Sequence, residues 1–174
     1  MRLLEPPLAA LSLALVSAVA LIAAFGLQYL AGLAPCPLCV WQRYPHLAVI
    51  TLGLVGWYWR APVMLGLAAL VLVGSTGLAA YHVGIEQGWW ALPAGCVAGV
   101  AAGSVDELRQ MLAAAPPTCD QVSFTLLGLS LAGWNGLLSL GLAAYAAAAL
   151  AFNRGHPRRI GTKDRLEEGS PVTR

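Results

Sequence analysis

Apolar residues run through this chain in long stretches, without the short-period alternation with charged residues that marks a water-soluble domain. Residues 8–31 carry no formal charge, and as a helix they are long enough to cross a hydrocarbon core of about 30 Å. Comparable stretches follow at residues 42–59, 62–83 and 125–152. The pattern predicts an all-α integral membrane protein, a bundle of four transmembrane helices.

The ends of these stretches carry residues typical of membrane interfaces. Trp57, Tyr58 and Trp59 precede Arg60, and an aromatic cluster followed by a cation marks the end of the second span. A cleaved signal peptide is the competing interpretation of the first stretch. We prefer a span, because the stretch is about twice as long as a signal-peptide core.

Two loops and a tail remain outside the predicted spans. Residues 32–41 and 84–124 form the loops, and residues 153–174 form a polar tail that we expect to be disordered. In the long loop, Ser104 and Glu107 have the spacing of a capping box, and apolar residues recur there at helical spacing: Val105, Leu108, Met111 and Leu112. A short helix is expected, either lying on the membrane surface or covering the end of the bundle.

Composition and the placement of charge add an orientation. The 174 residues are 59% hydrophobic and 10% charged, which excludes disorder, and the net charge of +2 is too small to indicate nucleic-acid binding. With four spans, eight of the ten Lys and Arg residues share the side of the termini, and only Arg43 and Arg109 lie opposite. In a bacterial inner membrane, the positive-inside rule then predicts cytoplasmic termini and loops in the oxidising periplasm.

The first loop carries a CxxC pair. Cys36 and Cys39 have the spacing of a disulfide that closes with little backbone movement, and the helix N-terminus that follows stabilises a thiolate. Arg43 lies four residues after Cys39, on the same face if the helix is continuous. A cation is costly at this depth without a function, and this one could favour the thiolate or hold an acceptor's oxygen.

The other two cysteines, Cys96 and Cys119, stand in the long loop, which we expect to be exposed. If paired, they could exchange with another protein, or they could simply staple the loop. Half of a zinc site has the same CxxC spacing, but a four-cysteine site favours a second close pair, and 22 residues separate these two. Redox chemistry, a zinc site and structural disulfides are therefore the alternatives.

A histidine and several small residues complete the candidates. His82, at the outer end of the third span, shares a face with Glu86 if the helix extends that far. It could be an interfacial anchor, a proton donor or a hydrogen-bond donor to a ligand. In the fourth span, a repeat at every fourth residue predicts close helix packing, with a nearby asparagine bonding across helices: Gly128, Ala132, Gly136 and Asn135. Trp89 and Trp90 are typical of the aromatic belt at a membrane interface.

In combination these features resemble the disulfide bond formation protein B (DsbB) family over roughly residues 8–150. The resemblance includes CPLC followed by Gln42 and Arg43, two further loop cysteines and four spans. It extends from Tyr81 to Trp90 and to the sequence LGLSLAGWN after Cys119.

The resemblance implies an enzyme that reoxidises a periplasmic thioredoxin-like protein of the DsbA type and passes the electrons to a membrane quinone, ubiquinone or menaquinone. By the family pattern, Cys96 forms the mixed disulfide with that partner and Cys119 is its mate. Cys36 matches the cysteine that exchanges with Cys119, and Cys39 the one that meets the quinone ring. A DsbA-type protein is strongly oxidising, near −120 mV, so its regeneration needs an acceptor such as a quinone.

Arg43 matches the family's quinone-side arginine, and His82 a histidine proposed near the same site. Many relatives have a tryptophan shortly after the last loop cysteine, whereas this chain has Phe124, which can stack but cannot donate an indole N–H. A vitamin K epoxide reductase-like enzyme is the nearest alternative, although its CxxC belongs near the last spans. A non-catalytic metal-binding or structural membrane module is the other.

Overall fold

The computed structural model describes residues 4–96, 104–106, 109 and 117–155. Its helices are α1 (Pro6–Tyr29), α2 (Pro37–Trp41), α3 (Arg43–Trp59), α4 (Pro62–Glu86) and α5 (Leu131–Gly155), with a 3-10 turn at Ala94–Cys96 and two short strands, β1 (Thr125–Leu126) and β2 (Leu129–Ser130). The tail from residue 156 lies outside the described residues. So does most of the predicted loop helix, including Leu108, Met111 and Leu112.

The four long helices close a bundle. α1 packs along α3, α3 on α4, and α4 on α5, which returns to contact α1. Small residues allow these close contacts: a Cβ on Gly53 would meet the backbone of Ala10, and Gly136 lies against Ala79. The predicted packing face of the fourth span is therefore present at Gly136. The buried core combines these small residues with aliphatic ones: Ala9, Leu13, Val49, Leu65, Ala68, Leu72, Ala146 and Ala149.

Three of the helices, Pro6–Tyr29, Pro62–Glu86 and Leu131–Arg154, are long and apolar enough to cross a membrane. The helix α3 has 17 residues, at the lower limit of the usual length of a span. Large apolar side chains remain exposed on the outside of the bundle, among them Leu15, Val19, Ile22, Leu70, Val73, Leu137 and Leu140. Helices that are apolar on their outer faces as well as in the core are typical of a membrane protein.

The fourth span begins later than its apolar sequence predicted. Residues 125–130 form an antiparallel hairpin, and at its turn Leu127 and Gly128 have φ values of 52° and 81°. Two-residue hairpin turns use such values, whereas an α-helix does not. The hydroxyl of Ser130 then caps α5 by accepting a bond from the N–H of Gly133. The expected helix from residue 125 was wrong, and Gly128 belongs to the turn rather than to a helix contact.

The long loop starts by folding back on the end of α4, which continues three residues beyond the predicted limit of 83 to Glu86. Trp90 lies directly over Gly84, where any Cβ would overlap its ring, and it stacks on Tyr81 with the ring centroids 5.4 Å apart. One side of the Trp90 ring therefore packs on α4 while the residue stays 47% exposed, and Trp89 is 70% exposed. This contact holds the segment that leads to the 3-10 turn at Ala94–Cys96.

Candidate functional site: two cysteine pairs beside an apolar cavity

The CxxC pair is held by the cap of a short helix. Cys36 is the N-cap of α2, and Pro37 follows at the first helical position, where the missing N–H is not needed. The N–H of Cys39 donates to the Cys36 sulfur at 3.1 Å, and the two sulfurs lie 2.6 Å apart. Because a disulfide bond is about 2.05 Å long, only a small shift is needed to form the bond once an oxidant takes two electrons and two protons from the pair.

A hydrogen bond between the two thiols separates their acidities. Cys36 donates to the sulfur of Cys39, which stabilises the Cys39 thiolate and lowers the pKa of Cys39. The same hydrogen bond and burial raise the pKa of Cys36. In the reduced pair, Cys39 is therefore the sulfur that carries a negative charge more readily.

The second pair forms a disulfide directly beside the first. Cys96 and Cys119 are bonded, and both are buried, with 4% and 0% of their surface exposed. They pack in one buried cluster with Cys36 and Ile85. The expectation that this disulfide is exposed was wrong, because the fold of residues 84–96 turns it into the protein. The two cysteine pairs are neighbours.

His82 lies between the two pairs. Its Nε2 is 3.5 Å from the Cys36 sulfur and 3.8 Å from a carboxylate oxygen of Glu86, and its ring lies beside the backbone of Cys119. The extension of α4 brings His82 and Glu86 onto one face, as expected. Since the ring is only 2% exposed, it is a component of the site rather than a surface anchor.

Arg43 is fixed by the end of α1. Its Nη1 donates to the side-chain oxygen of Gln28 at 2.7 Å, and its guanidinium carbon lies 4.7 Å from the centre of the Phe25 ring. Although α2 ends before α3 begins, the N–H of Gln42 still bonds to the Leu38 carbonyl, so the helical path is nearly continuous. Arg43 and Cys39 both line the same cavity.

That cavity has a volume of about 370 Å³ and opens beside the CxxC pair. Aliphatic residues of α1 and α5 form much of its wall, and Phe124 and Trp134 contribute aromatic rings. Its polar groups include Cys39, Arg43 and His82. A mostly apolar cavity with a few convergent polar groups is the usual form of a small-molecule site.

Sequence reasoning missed a row of polar side chains behind the site. His46 bonds to Asn135 at 2.7 Å, Asn135 bonds to Gln42 at 3.0 Å, and Gln42 bonds to His82 at 3.0 Å. The expected bond of Asn135 across helices is therefore present. His46 could have been found from the sequence, because a histidine inside a predicted membrane span is a functional candidate.

Three potential metal ligands also meet here. Donor atoms of Cys36, Cys39 and His82 lie within 4.8 Å of one another. A structural zinc site uses four ligands, and the sulfurs of Cys96 and Cys119 are bonded to each other. The four-cysteine zinc site considered from the sequence is therefore not formed among the described residues.

Comparison with known proteins identifies the family. The sequence model for disulfide bond formation protein DsbB matches residues 6–149. The chain belongs to the DsbB family. This assignment favours the interpretation from the cysteine motif over the vitamin K epoxide reductase-like alternative.

Several relatives of this DsbB-family chain carry the corresponding name. Disulfide bond formation protein B of Albidiferax ferrireducens is 36% identical, over 75% of this chain and 80% of the relative. The protein of the same name from an Azoarcus species is 34% identical, over 83% and 92% of the two chains. An uncharacterized protein of Rickettsia prowazekii is 29% identical, over 79% and 83%. No solved structure gives a significant match.

Family membership and structure together define the activity. The chain is a helical membrane protein of the DsbB family with a Cys96–Cys119 disulfide, and it acts as a disulfide-generating oxidoreductase. The structure brings Cys36, Cys39 and His82 together with that disulfide, and it aligns Arg43 along the neighbouring cavity. Phe124 also lines this cavity.

Proposed function

We propose that this protein takes two electrons from a periplasmic thioredoxin-like protein of the DsbA type and passes them through its cysteine pairs to a membrane quinone. The observation that carries the proposal is the contiguity of the site. Cys36 packs in one buried cluster with the Cys96–Cys119 disulfide, and its CxxC partner Cys39 lines the apolar cavity. The successive sulfurs of a two-electron path therefore lie close together.

The first half of the path is exchange between proteins. A thiolate of the partner attacks Cys96, which forms a mixed disulfide and releases Cys119 as a thiolate. The partner's second thiolate then breaks the mixed disulfide, so the partner leaves oxidised and Cys96 and Cys119 are both reduced. No electron acceptor is needed at this stage, because the loop disulfide has taken both electrons.

The second half is exchange between the two pairs. Once the CxxC pair is oxidised, Cys119 attacks Cys36, a Cys36–Cys119 bond forms, and Cys39 leaves with the electron pair as a thiolate. The nearby guanidinium of Arg43 favours the thiolate of Cys39 and so supports this role as leaving group. Cys39 then lies at the cavity with a full charge beside the guanidinium of Arg43.

The residues of the cavity suit a quinone, either ubiquinone or menaquinone. Apolar walls would accept the ring, Cys39 would face it, Arg43 would supply a donor for one of its oxygens, and His82 lines the same cavity. A bound quinone accepts two electrons and two protons and becomes a quinol. The contacts of Arg43 with Gln28 and Phe25 keep the guanidinium from turning away into solvent.

The proposed arrangement in the membrane has four spans, with α3 as the second and both termini in the cytoplasm of a bacterial inner membrane. The loops at residues 32–41 and 84–124 then face the periplasm, and residues 153–174 form a cytoplasmic tail. The excess of cations on the side of the termini supports this orientation. The aromatic residues at the end of α3, Trp57, Tyr58 and Trp59, are exposed and suit an interface.

The test is turnover of purified protein in detergent micelles with a reduced DsbA-type protein and ubiquinone-1 or menadione. Wild-type protein should reduce the quinone, and Cys39→Ser should abolish the reduction while a single exchange with the partner through Cys96 persists. Thr51→Ala, on the exposed face of α3, serves as the preparation control. Quinone reduction that survives in Cys39→Ser would refute the proposed path.

The partner is tested separately with Cys119→Ser. This variant leaves Cys96 as a free thiol without its mate, so Cys96 should attack the disulfide of the oxidised DsbA-type protein and release one partner cysteine as a thiolate. The resulting mixed disulfide should accumulate and be visible on a non-reducing gel. Cys96→Ser should trap nothing. Trapping by Cys96→Ser and not by Cys119→Ser would reverse the assignment of the two loop cysteines, and equal trapping would refute a distinct role for Cys96.

A further inference from the structure

The row of polar side chains behind the site crosses three helices. It starts at His46 on α3, passes through Asn135 on α5 and Gln42 at the start of α3, and ends at His82 on α4. His46, Gln42 and His82 are 3%, 6% and 2% exposed, so the row is shielded from water. Buried polar groups of this kind need every donor matched to an acceptor.

The chemistry of the amides makes the row directional. Each amide side chain offers one donor group and one acceptor in this row, so all the bonds must run in the same sense. In the forward sense, His46 donates to Asn135, Asn135 donates to Gln42, and Gln42 donates to Nδ1 of His82. The proton of His82 is then on Nε2. In the reverse sense, the proton of His82 is on Nδ1, and both amides are turned over.

The surroundings of His82 favour the forward sense. Its Nε2 faces the Cys36 sulfur at 3.5 Å and the Glu86 carboxylate at 3.8 Å. Both groups accept hydrogen bonds, and a carboxylate repels a bare nitrogen lone pair. In the reverse sense, that lone pair would face the two acceptors directly.

The other end of the row gives the same answer. Nδ1 of His46 is buried and has no hydrogen-bond partner among the described residues. In the forward sense this nitrogen carries only a lone pair, whereas in the reverse sense it carries a proton that no acceptor receives. Buried N–H groups without an acceptor are rarer in proteins than acceptors without a donor.

We propose that Gln42, Asn135 and His46 are positioning residues that hold His82 in the tautomer with its proton on Nε2, facing the Cys36 sulfur. His82 then acts toward Cys36 as a hydrogen-bond donor and not as a base. The consequence for catalysis rests on the proposed function. When Cys96 attacks Cys119 of the Cys36–Cys119 bond, the Cys96–Cys119 bond re-forms and Cys36 receives the electron pair. No proton moves, and the N–H of His82 stabilises the new thiolate.

The tautomer can be measured directly. The chain has three histidines, so protein labelled with ¹⁵N only in histidine gives a simple spectrum, and the signals of His82 are identified by their loss in His82→Asn. In quinone-free protein, ¹⁵N chemical shifts should show a protonated Nε2 and a bare Nδ1. A proton on Nδ1, or an equal mixture, would overturn the proposal. Because no quinone is present, failure of quinone turnover would refute the proposed function without affecting this result.

The role of the remote residues is tested with Asn135→Leu. Without the Asn135 amide, Gln42 can present either end of its side chain to His82, so the spectrum should change from one tautomer to two. The matched control is Ser139→Ala, one turn further along α5, which removes a 3.0 Å bond between α5 and Ser75 of α4. Ser139→Ala should leave His82 unchanged. A single Nε2 tautomer in Asn135→Leu would show that the row does not position His82.

Discussion

Gly84 is the position at which the long loop is attached to the end of α4, and Gly84→Ala tests that attachment. A Cβ there would overlap atoms Cε3 and Cζ3 of Trp90. Trp90 also stacks on Tyr81, with the ring planes 20° apart. Since the helix backbone cannot move away, the substitution must displace the indole from both residues.

The magnitude follows from the contacts that are lost. Overpacking costs about 1–3 kcal/mol in a well-packed core, and the lower end of that range applies here because Trp90 is 47% exposed and can move. Loss of the aromatic pair with Tyr81 costs about 0.5–1.5 kcal/mol in addition. Alanine in place of glycine inside a helix returns up to about 1 kcal/mol. We therefore expect Gly84→Ala to destabilise the protein by about 1 kcal/mol.

The assay is unfolding in detergent micelles with increasing dodecyl sulfate, followed by tryptophan fluorescence. Gly77→Ala is the matched control, because it lies on the same helix and a Cβ there would have open space. Gly77→Ala should be neutral or slightly stabilising. In the double variant, adding Trp90→Ala to Gly84→Ala should remove the overlap and restore much of the stability that Gly84→Ala loses. Equal stability of Gly84→Ala and Gly77→Ala would refute the packing argument. The Cys96–Cys119 disulfide should also become more accessible to small thiols in Gly84→Ala, because the displaced segment carries Cys96.

Two further predictions concern Cys39 and Arg43. The hydrogen bond from Cys36 lowers the pKa of Cys39, so the thiolate of Cys39 should be present at a pH below that of an ordinary thiol. Cys36→Ala removes the donor and should shift the pH midpoint of Cys39 alkylation upward, as followed by mass spectrometry; an unchanged midpoint would exclude the hydrogen bond as the cause. Arg43→Lys keeps the charge but loses the planar group that contacts Gln28 and Phe25, so the KM for quinone should rise roughly tenfold, about 1.4 kcal/mol. Arg109→Lys, at a side chain that is 77% exposed, should leave KM unchanged. An equal KM in both variants would show that Arg43 does not contribute to quinone binding.

The parts of the fold that the sequence predicted are those marked by residues with a strong preference. The helix α3 ends at Trp59 as predicted, because aromatic residues and a cation mark that end. The hairpin at residues 125–130 escaped prediction because it is as apolar as the helix that follows. Leu127 adopts a positive φ there, and a leucine gives no sign of that conformation.

The candidate site divides in the same way. Cys36, Cys39 and Arg43 lie within eight residues of sequence, so spacing alone related them to one another. The bonds of Asn135 to Gln42 and His46 span about ninety residues, and they depend on how α5 is rotated against α3. Hydrophobic pattern predicts that two helices pack, but it does not predict which polar side chains face each other when both helices are apolar all round.

Burial of the Cys96–Cys119 disulfide bears on the selectivity of the proposed reaction. A disulfide able to oxidise a DsbA-type protein, near −120 mV, is thermodynamically able to oxidise most other thiols as well. Its selectivity must therefore be kinetic, and the sulfurs of this pair are almost inaccessible, with Ile85 and Leu92 packed against them. A partner has to displace part of this cover before its thiolate can approach Cys96 in line with the S–S bond. The contact of Trp90 with Gly84 adjoins that cover, so a docked partner that loosens it would expose the disulfide only within the complex. The same cover keeps Cys36 away from small thiols, which leaves Cys119 as the thiolate with direct access to it.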